Sequence, residues 1–142
     1  MESTKTSEII VIALVIASVA AGGVLTLVIS VPTSPCAGVA GTIRNIFIVA
    51  DLHGFNNSQF QTGSPLVSVN RCDTLKFTII NNDTQPHGFA VDYYAPNGVE
   101  ITGSNTVQLP WFVATRSGQF TMRCTIFCTI HNQMIHGVLN VT

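Results

Sequence analysis

Between Arg123 and Gly137 the chain reads RCTIFCTIHNQMIHG, which places two cysteines, two histidines and a methionine within Cys124–His136. Thiolate and thioether sulfurs are soft ligands and imidazole is borderline, so the set selects copper, with zinc as the alternative. Four arrangements compete for Cys124 and Cys128. A disulfide between them would close one tight loop with strained geometry, and Cys36 and Cys72 are available for structural bridging instead. Structural zinc takes a closed tetrahedron of Cys and His and has no place for Met134. A type 1 mononuclear copper site takes one Cys, two His and a weak axial Met. A dinuclear copper site takes two bridging thiolates and one His per metal. It alone employs Cys124, Cys128, His87, His131 and Met134 together.

Such a cluster needs a rigid body behind it. From Thr42 onward the sequence alternates with period two and is rich in β-branched residues. TIRNIFIVA, LVSVN, TLKFTIINN, HGFAVDYY, SGQFTMRC and GVLNVT read as strands, with APNG as a turn and VEITGSNTVQLPWFVAT as further strand material. Seven or eight short strands at this spacing, with no amphipathic helix, predict an all-β sandwich over residues 42–142. The ligand loop falls between SGQFTMRC and GVLNVT, at one end of the sandwich, and hairpin topology can bring His87 to the same pole.

The remainder of the chain differs in kind. Residues 9–31 carry no charge, and at about 1.5 Å per residue such a run spans a hydrocarbon core of roughly 30 Å. It exceeds the apolar core of a signal peptide, typically about 7–15 residues. The expected layout is a cytoplasmic N-terminus over 1–8, a transmembrane helix over 9–31, a Pro/Gly/Ser linker over 32–41 and the β-domain beyond. Lys5 is the single basic residue before the span, so charge says little about orientation. Cys36 and Cys72 as a disulfide, and the sequons at Asn56, Asn82 and Asn140, both place the C-terminal domain outside the cell membrane. Only 9 % of residues are charged and the net charge is −1, which excludes nucleic-acid binding by charge neutralisation.

HGF, followed by F-x-x-x-C-x-x-x-C and H-x-x-M-x-x-G, resembles the cupredoxin domain of cytochrome c oxidase subunit II with its dinuclear CuA centre. The preceding span is similar to the short, single-anchor form of that subunit, so the resemblance covers nearly the whole chain. It implies a cupredoxin-like Greek-key β-sandwich. It also implies that Cys124 and Cys128 bridge two coppers, His87 and His131 cap one each, and Met134 and the backbone carbonyl of Ile126 are weak ligands. The implied role is electron entry to a haem-copper terminal oxidase, from a cytochrome c or blue copper donor to haem in the membrane catalytic subunit. Three features depart from the family. Only Thr129 and Ile130 separate Cys128 from His131, one residue fewer than the pattern, and strict spacing would put Asn132 in the histidine's place. Pro86 before His87, and the segment C-T-I-H-N-Q-M, are similar to mononuclear blue copper proteins. Ile126 replaces the acidic residue that binds magnesium in many members, so no magnesium site is expected.

Register bears on one copper against two. Phe120 stands four residues before Cys124, where both groups place the strand aromatic, so a mononuclear site in register would use Cys124 and leave Cys128 idle. An anchored type 1 electron carrier is therefore the alternative reading. A copper-delivery protein is a further one, but such carriers use a thioredoxin-like fold and the β pattern opposes it. Among the other residues, His136 is expected at the rim or as a hydrogen-bond donor to a ligand, the alternative being that it replaces His131 as a ligand if the shortened loop rearranges. His53 is expected in a loop, and Trp111 in strand packing or, if exposed, in docking a donor. No general base, nucleophile or open metal position is evident, so the chain by itself is expected to catalyse no bond chemistry.

Overall fold

The computed structural model describes residues 34–61 and 64–142. The chain divides into two compact units, Met1–Ala37 and Gly38–Thr142. In the first, the described residues form a turn closed by the Ala37 N–H donating to the Ser34 carbonyl at 2.8 Å. The expected membrane span over 9–31 lies outside the described residues, and among those described no helix is long and apolar enough to cross a membrane.

The second unit is all-β. Its first sheet contains β1 (Ile43–Asp51), β2 (Gly54–Phe55), β4 (Thr74–Asn81), β7 (Thr106–Gln108) and β8 (Phe112–Val113), in the order β2-β1-β4-β7 with β8 also pairing β4. The second runs β3-β10-β9-β5-β6, from β3 (Leu66–Val69), β10 (Gly137–Val141), β9 (Gly118–Arg123), β5 (His87–Val91) and β6 (Ala95–Ile101). Two pairings are parallel, β1 with β4 and β10 with β3. Parallel neighbours cannot be joined by a tight hairpin, so the chain crosses between the sheets rather than meandering through one.

The pattern in β4 explains why the layers stack. Leu75, Phe77 and Ile79 alternate inward while Lys76 is exposed. They meet Ile48 and Ala50 from β1, and Phe89, Met122, Leu139 and Val141 from the opposite sheet. Each large apolar side chain so buried contributes about 1.5–3 kcal/mol. Phe89 is gripped by two rings, Phe55 edge-on at 5.3 Å and Phe77 tilted at 5.6 Å.

The structure corrects the turn expected over residues 95–98. The chain reverses at residues 92–94, where Tyr93 takes φ 71°, and residues 95–98 belong to β6. Asn97–Gly98 looks like a turn signal, but Gly98 serves a close approach. At φ 60° a Cβ there would overlap the Phe89 carbonyl oxygen, and the β5–β6 ladder shifts register between Phe89 and Val91.

Candidate metal centre

The β5–β9 register decides what meets at the ligand pole. Ala90 pairs with Arg123 and Val91 with Met122, antiparallel. Three residues back along β5 therefore answer to three residues forward of β9. His87, the first residue of β5, comes to lie beside the loop that begins at Cys124. One ring nitrogen of His87 and the sulfurs of Cys124 and Cys128 all lie within 4.8 Å of one another, and all three residues are buried. Both of these cysteines are free, whereas Cys36 and Cys72 are disulfide-bonded.

The remaining predicted ligands join this group through a chain of contacts. Cys128 Sγ is 3.8 Å from the sulfur of fully buried Met134. Cys124 Sγ stands 3.1 Å from the Ile126 carbonyl oxygen, and His131 Nδ1 stands 3.0 Å from the same oxygen. These contacts link Met134, Ile126 and His131 to the cluster, while the donor atoms that lie within 4.8 Å of one another are those of His87, Cys124 and Cys128. Asn132 and His136 are both exposed.

Backbone geometry makes this convergence possible despite the short Cys128–His131 spacing. Residues 131–133 form a 3₁₀ turn. The His131 N–H donates to the Cys128 carbonyl at 3.2 Å, and the Met134 N–H donates to the His131 carbonyl at 2.9 Å. This tight winding returns the chain to the pole in few residues. The Cys124 N–H closes the loop on the Met134 carbonyl at 2.7 Å.

Several supporting residues went unread in the sequence. Asp83, almost fully buried, takes His87 Nε2 at 3.2 Å. Burial opposes its ionisation, but hydrogen bonds from the Gln85 backbone, the His87 ring and the Thr84 backbone hold its carboxyl below the ordinary value. The carboxylate accepts the proton on Nε2, which leaves Nδ1 as the free ring atom. Nδ1 is a buried polar atom with no hydrogen-bond partner among the described residues, and such an atom needs an explanation. A metal ion supplies one, and a carboxylate behind a ligating imidazole is the usual way its tautomer is fixed. A Asp four residues before a His was the available signal.

Asn81, also buried, shapes the same corner. Its amide donates to the Gln85 carbonyl at 2.7 Å, and its side-chain oxygen accepts the Asp83 N–H at 2.9 Å. From the other side Ser58 accepts the Phe55 N–H at 3.1 Å and donates to the Gln133 carbonyl at 2.6 Å, tying the β2 turn to the 3₁₀ turn. Gly88 donates its N–H to Cys124 Sγ at 3.3 Å.

Burial, and then the adjacent Cys124, pushes the Cys128 thiol up to about 11. Without metal it keeps its proton at neutral pH, and a bound cation must displace it. Two thiols, a thioether, two imidazoles and a carbonyl oxygen form a soft, largely buried donor set that fits copper. Phe127 is 90 % exposed over this pole, its ring 5.6 Å from that of His131. Trp111 corrects the packing expectation, since it is 66 % exposed in the connection between β7 and β8. His53 lies in a turn beside Asp51, its Nδ1 3.6 Å from the carboxylate.

No protein-family model matches the chain, and no curated protein matches it. Its fold is similar to that of solved copper proteins. A haem-copper terminal oxidase dimer superposes with TM-score 0.58 and 16 % identity, over 74 % of this chain and 67 % of that one. A copper nitrite reductase from Nitrosomonas europaea gives TM-score 0.58 and 21 % identity, over 70 % of this chain and 41 % of that one. A multicopper oxidase gives TM-score 0.56 and 17 % identity, over 70 % and 42 %. The chain spans about two fifths of the length of the last two. At these identities the likeness establishes an all-β, cupredoxin-like fold.

Proposed function

We propose that this chain is an electron-entry subunit of a haem-copper terminal oxidase, built around a dinuclear copper centre of the CuA type. The observation that carries the reading is the convergence of both free, buried thiols with His87. Cys124, Cys128, His87 Nδ1 and His131 would hold the copper pair, with Met134 and the Ile126 carbonyl as weaker donors. When bound, the copper pair supplies a one-electron couple shared between two metals, with little reorganisation. The protein's part is to hold the donors still. Asp83 fixes the His87 ring, Gly88 anchors Cys124, and the Ser58 bond braces the 3₁₀ turn. Ile126 and Ile130 pack against the core beside the loop and limit water there.

In this reading residues 9–31 anchor the chain in the cell membrane as a single pass, with the β-domain on the extracytoplasmic side. The donor is a cytochrome c or blue copper protein, and the acceptor is haem in a membrane catalytic subunit. The chain itself transfers electrons and catalyses no bond chemistry.

One observation favours a second reading. Cys128, His131 and Met134 have the C-x-x-H-x-x-M spacing, and the sulfurs of Cys128 and Met134 are in contact. That would suit a mononuclear type 1 site in an anchored electron carrier. Copper quantitation on the full-length chain decides between them. Two coppers per chain, with the hyperfine pattern of an electron shared by both, are expected, and Cys124→Ser and Cys128→Ser should each abolish that pattern. One copper per chain, retained in either Cys124→Ser or Cys128→Ser, would establish the mononuclear site and show which thiol it uses.

A further inference from the structure

Three acceptor sequons, at Asn56, Asn82 and Asn140, take no part in the metal centre, and the fold treats them differently. The Asn56 side-chain oxygen accepts the Val49 N–H at 2.8 Å, from a backbone at φ 49°. Its side chain, just past β2, is bonded to the β1 backbone. Asn140 lies within β10, an interior strand, paired to Ser68 on one side and Gln119 on the other. The hydroxyl of its sequon threonine, Thr142, donates to the Val69 carbonyl at 3.3 Å.

Asn82 is different. It follows β4, in the loop that leads to β5, and is exposed. The middle residue of its sequon, Asp83, turns inward to His87, which leaves Asn82 and Thr84 both exposed on the outside. Asn82 and Thr84 line an open hollow of about 330 Å³ together with Asp51, Leu52, His53 and Asp83. One side of the hollow is formed by Leu52 and the His53 ring, which Phe60 backs from outside the lining. Leu52 is 56 % exposed, and the His53 ring lies 5.3 Å from that of Phe60, itself 69 % exposed. The C–H face of a sugar packs on such surfaces while its hydroxyls stay in water.

We propose that Asn82 is the N-glycosylation site of this domain, and that the first sugar seats in this hollow. The inference rests on the extracytoplasmic placement of the domain proposed above. In the transfer, the Asn82 side-chain nitrogen bonds to the anomeric carbon of a lipid-diphosphate-linked oligosaccharide. The anomeric C–O bond breaks, lipid diphosphate leaves and the amide gives up one proton.

The test is glycopeptide mass spectrometry on the full chain, purified in detergent from a host that N-glycosylates exported domains. A flexible C-terminal tag bearing one efficient acceptor sequon reports whether the domain reaches that compartment. Glycan on the Asn82 peptide, none at Asn56 or Asn140, and its loss in both Asn82→Gln and Thr84→Val is the expected result. A modified tag beside an unmodified Asn82, or glycan at Asn56 or Asn140 in its place, overturns the site. An unmodified tag with an unmodified Asn82 overturns the proposal together with the topology on which it rests.

Discussion

At His87 a fully buried ring is held from behind by Asp83, and removing that carboxylate strands Nε2 where no water reaches it. Asp83→Ala should therefore cost about 1–3 kcal/mol of stability for an unmade buried hydrogen bond. Copper affinity should fall by about 10–100-fold as the ring loses its fixed tautomer. Denaturant titration of the metal-free chain and chelator competition read the two separately, and unchanged affinity would mean that packing alone orients the ring. The three donors that meet at this pole, His87, Cys124 and Cys128, were legible because softness is a property of residue type, whatever the fold. Asp83 was not, because its role comes from burial, which one sequence does not display. The choice between His131 and His136 also belongs at this scale. His131→Gly should lose the copper spectrum and regain it with added imidazole, whereas His136→Gly, altering an exposed residue, should leave it intact. The opposite pattern would reassign the ligand.

The loops around the site act as elements, and two of their residues test this. A Cβ at Gly88 would overlap the Thr125 hydroxyl and stand 3.0 Å from the Thr125 amide nitrogen. Gly88→Ala should push the start of the ligand loop away from β5, costing about 1–3 kcal/mol and shifting the copper absorption. An unshifted spectrum would show that Thr125 swings aside without moving Cys124. Ser58→Ala removes the bond to the Gln133 carbonyl at 2.6 Å and the acceptor for the Phe55 N–H. It should lower stability by about 1 kcal/mol per lost bond and speed copper loss to a chelator, the measurement that separates loop bracing from general destabilisation. The strands were legible where alternation is clean, as in β4. They were misread at residues 95–98, where glycine answers a tertiary contact and leaves the turn to Tyr93. The Ser58 tie joins residues 75 positions apart, beyond the reach of any local pattern.

Away from the metal centre, Asp73 contributes to the domain's response to acid. The Thr42 N–H, acting against burial and helped by Arg44 and the Asn70 N–H, holds its carboxyl below the ordinary 3.8. A carboxyl depressed by folding stabilises above its unfolded value, and that stability is lost as pH falls toward the folded one. Asp73→Asn should therefore lower Tm by a constant amount between about pH 5 and 7, with the gap closing below about pH 4. A gap that persists in acid would mean that the carboxylate's charge is not what matters. The placement of β10 has a consequence for the order of assembly. It slots between β3 and β9, and its first residue, Gly137, pairs with Met122 across the base of the ligand loop. During synthesis every metal donor leaves the ribosome before β10 does. β10 is thus the last of these strands to be made, and its pairing with β9 and β3 closes the sheet beneath the ligand loop.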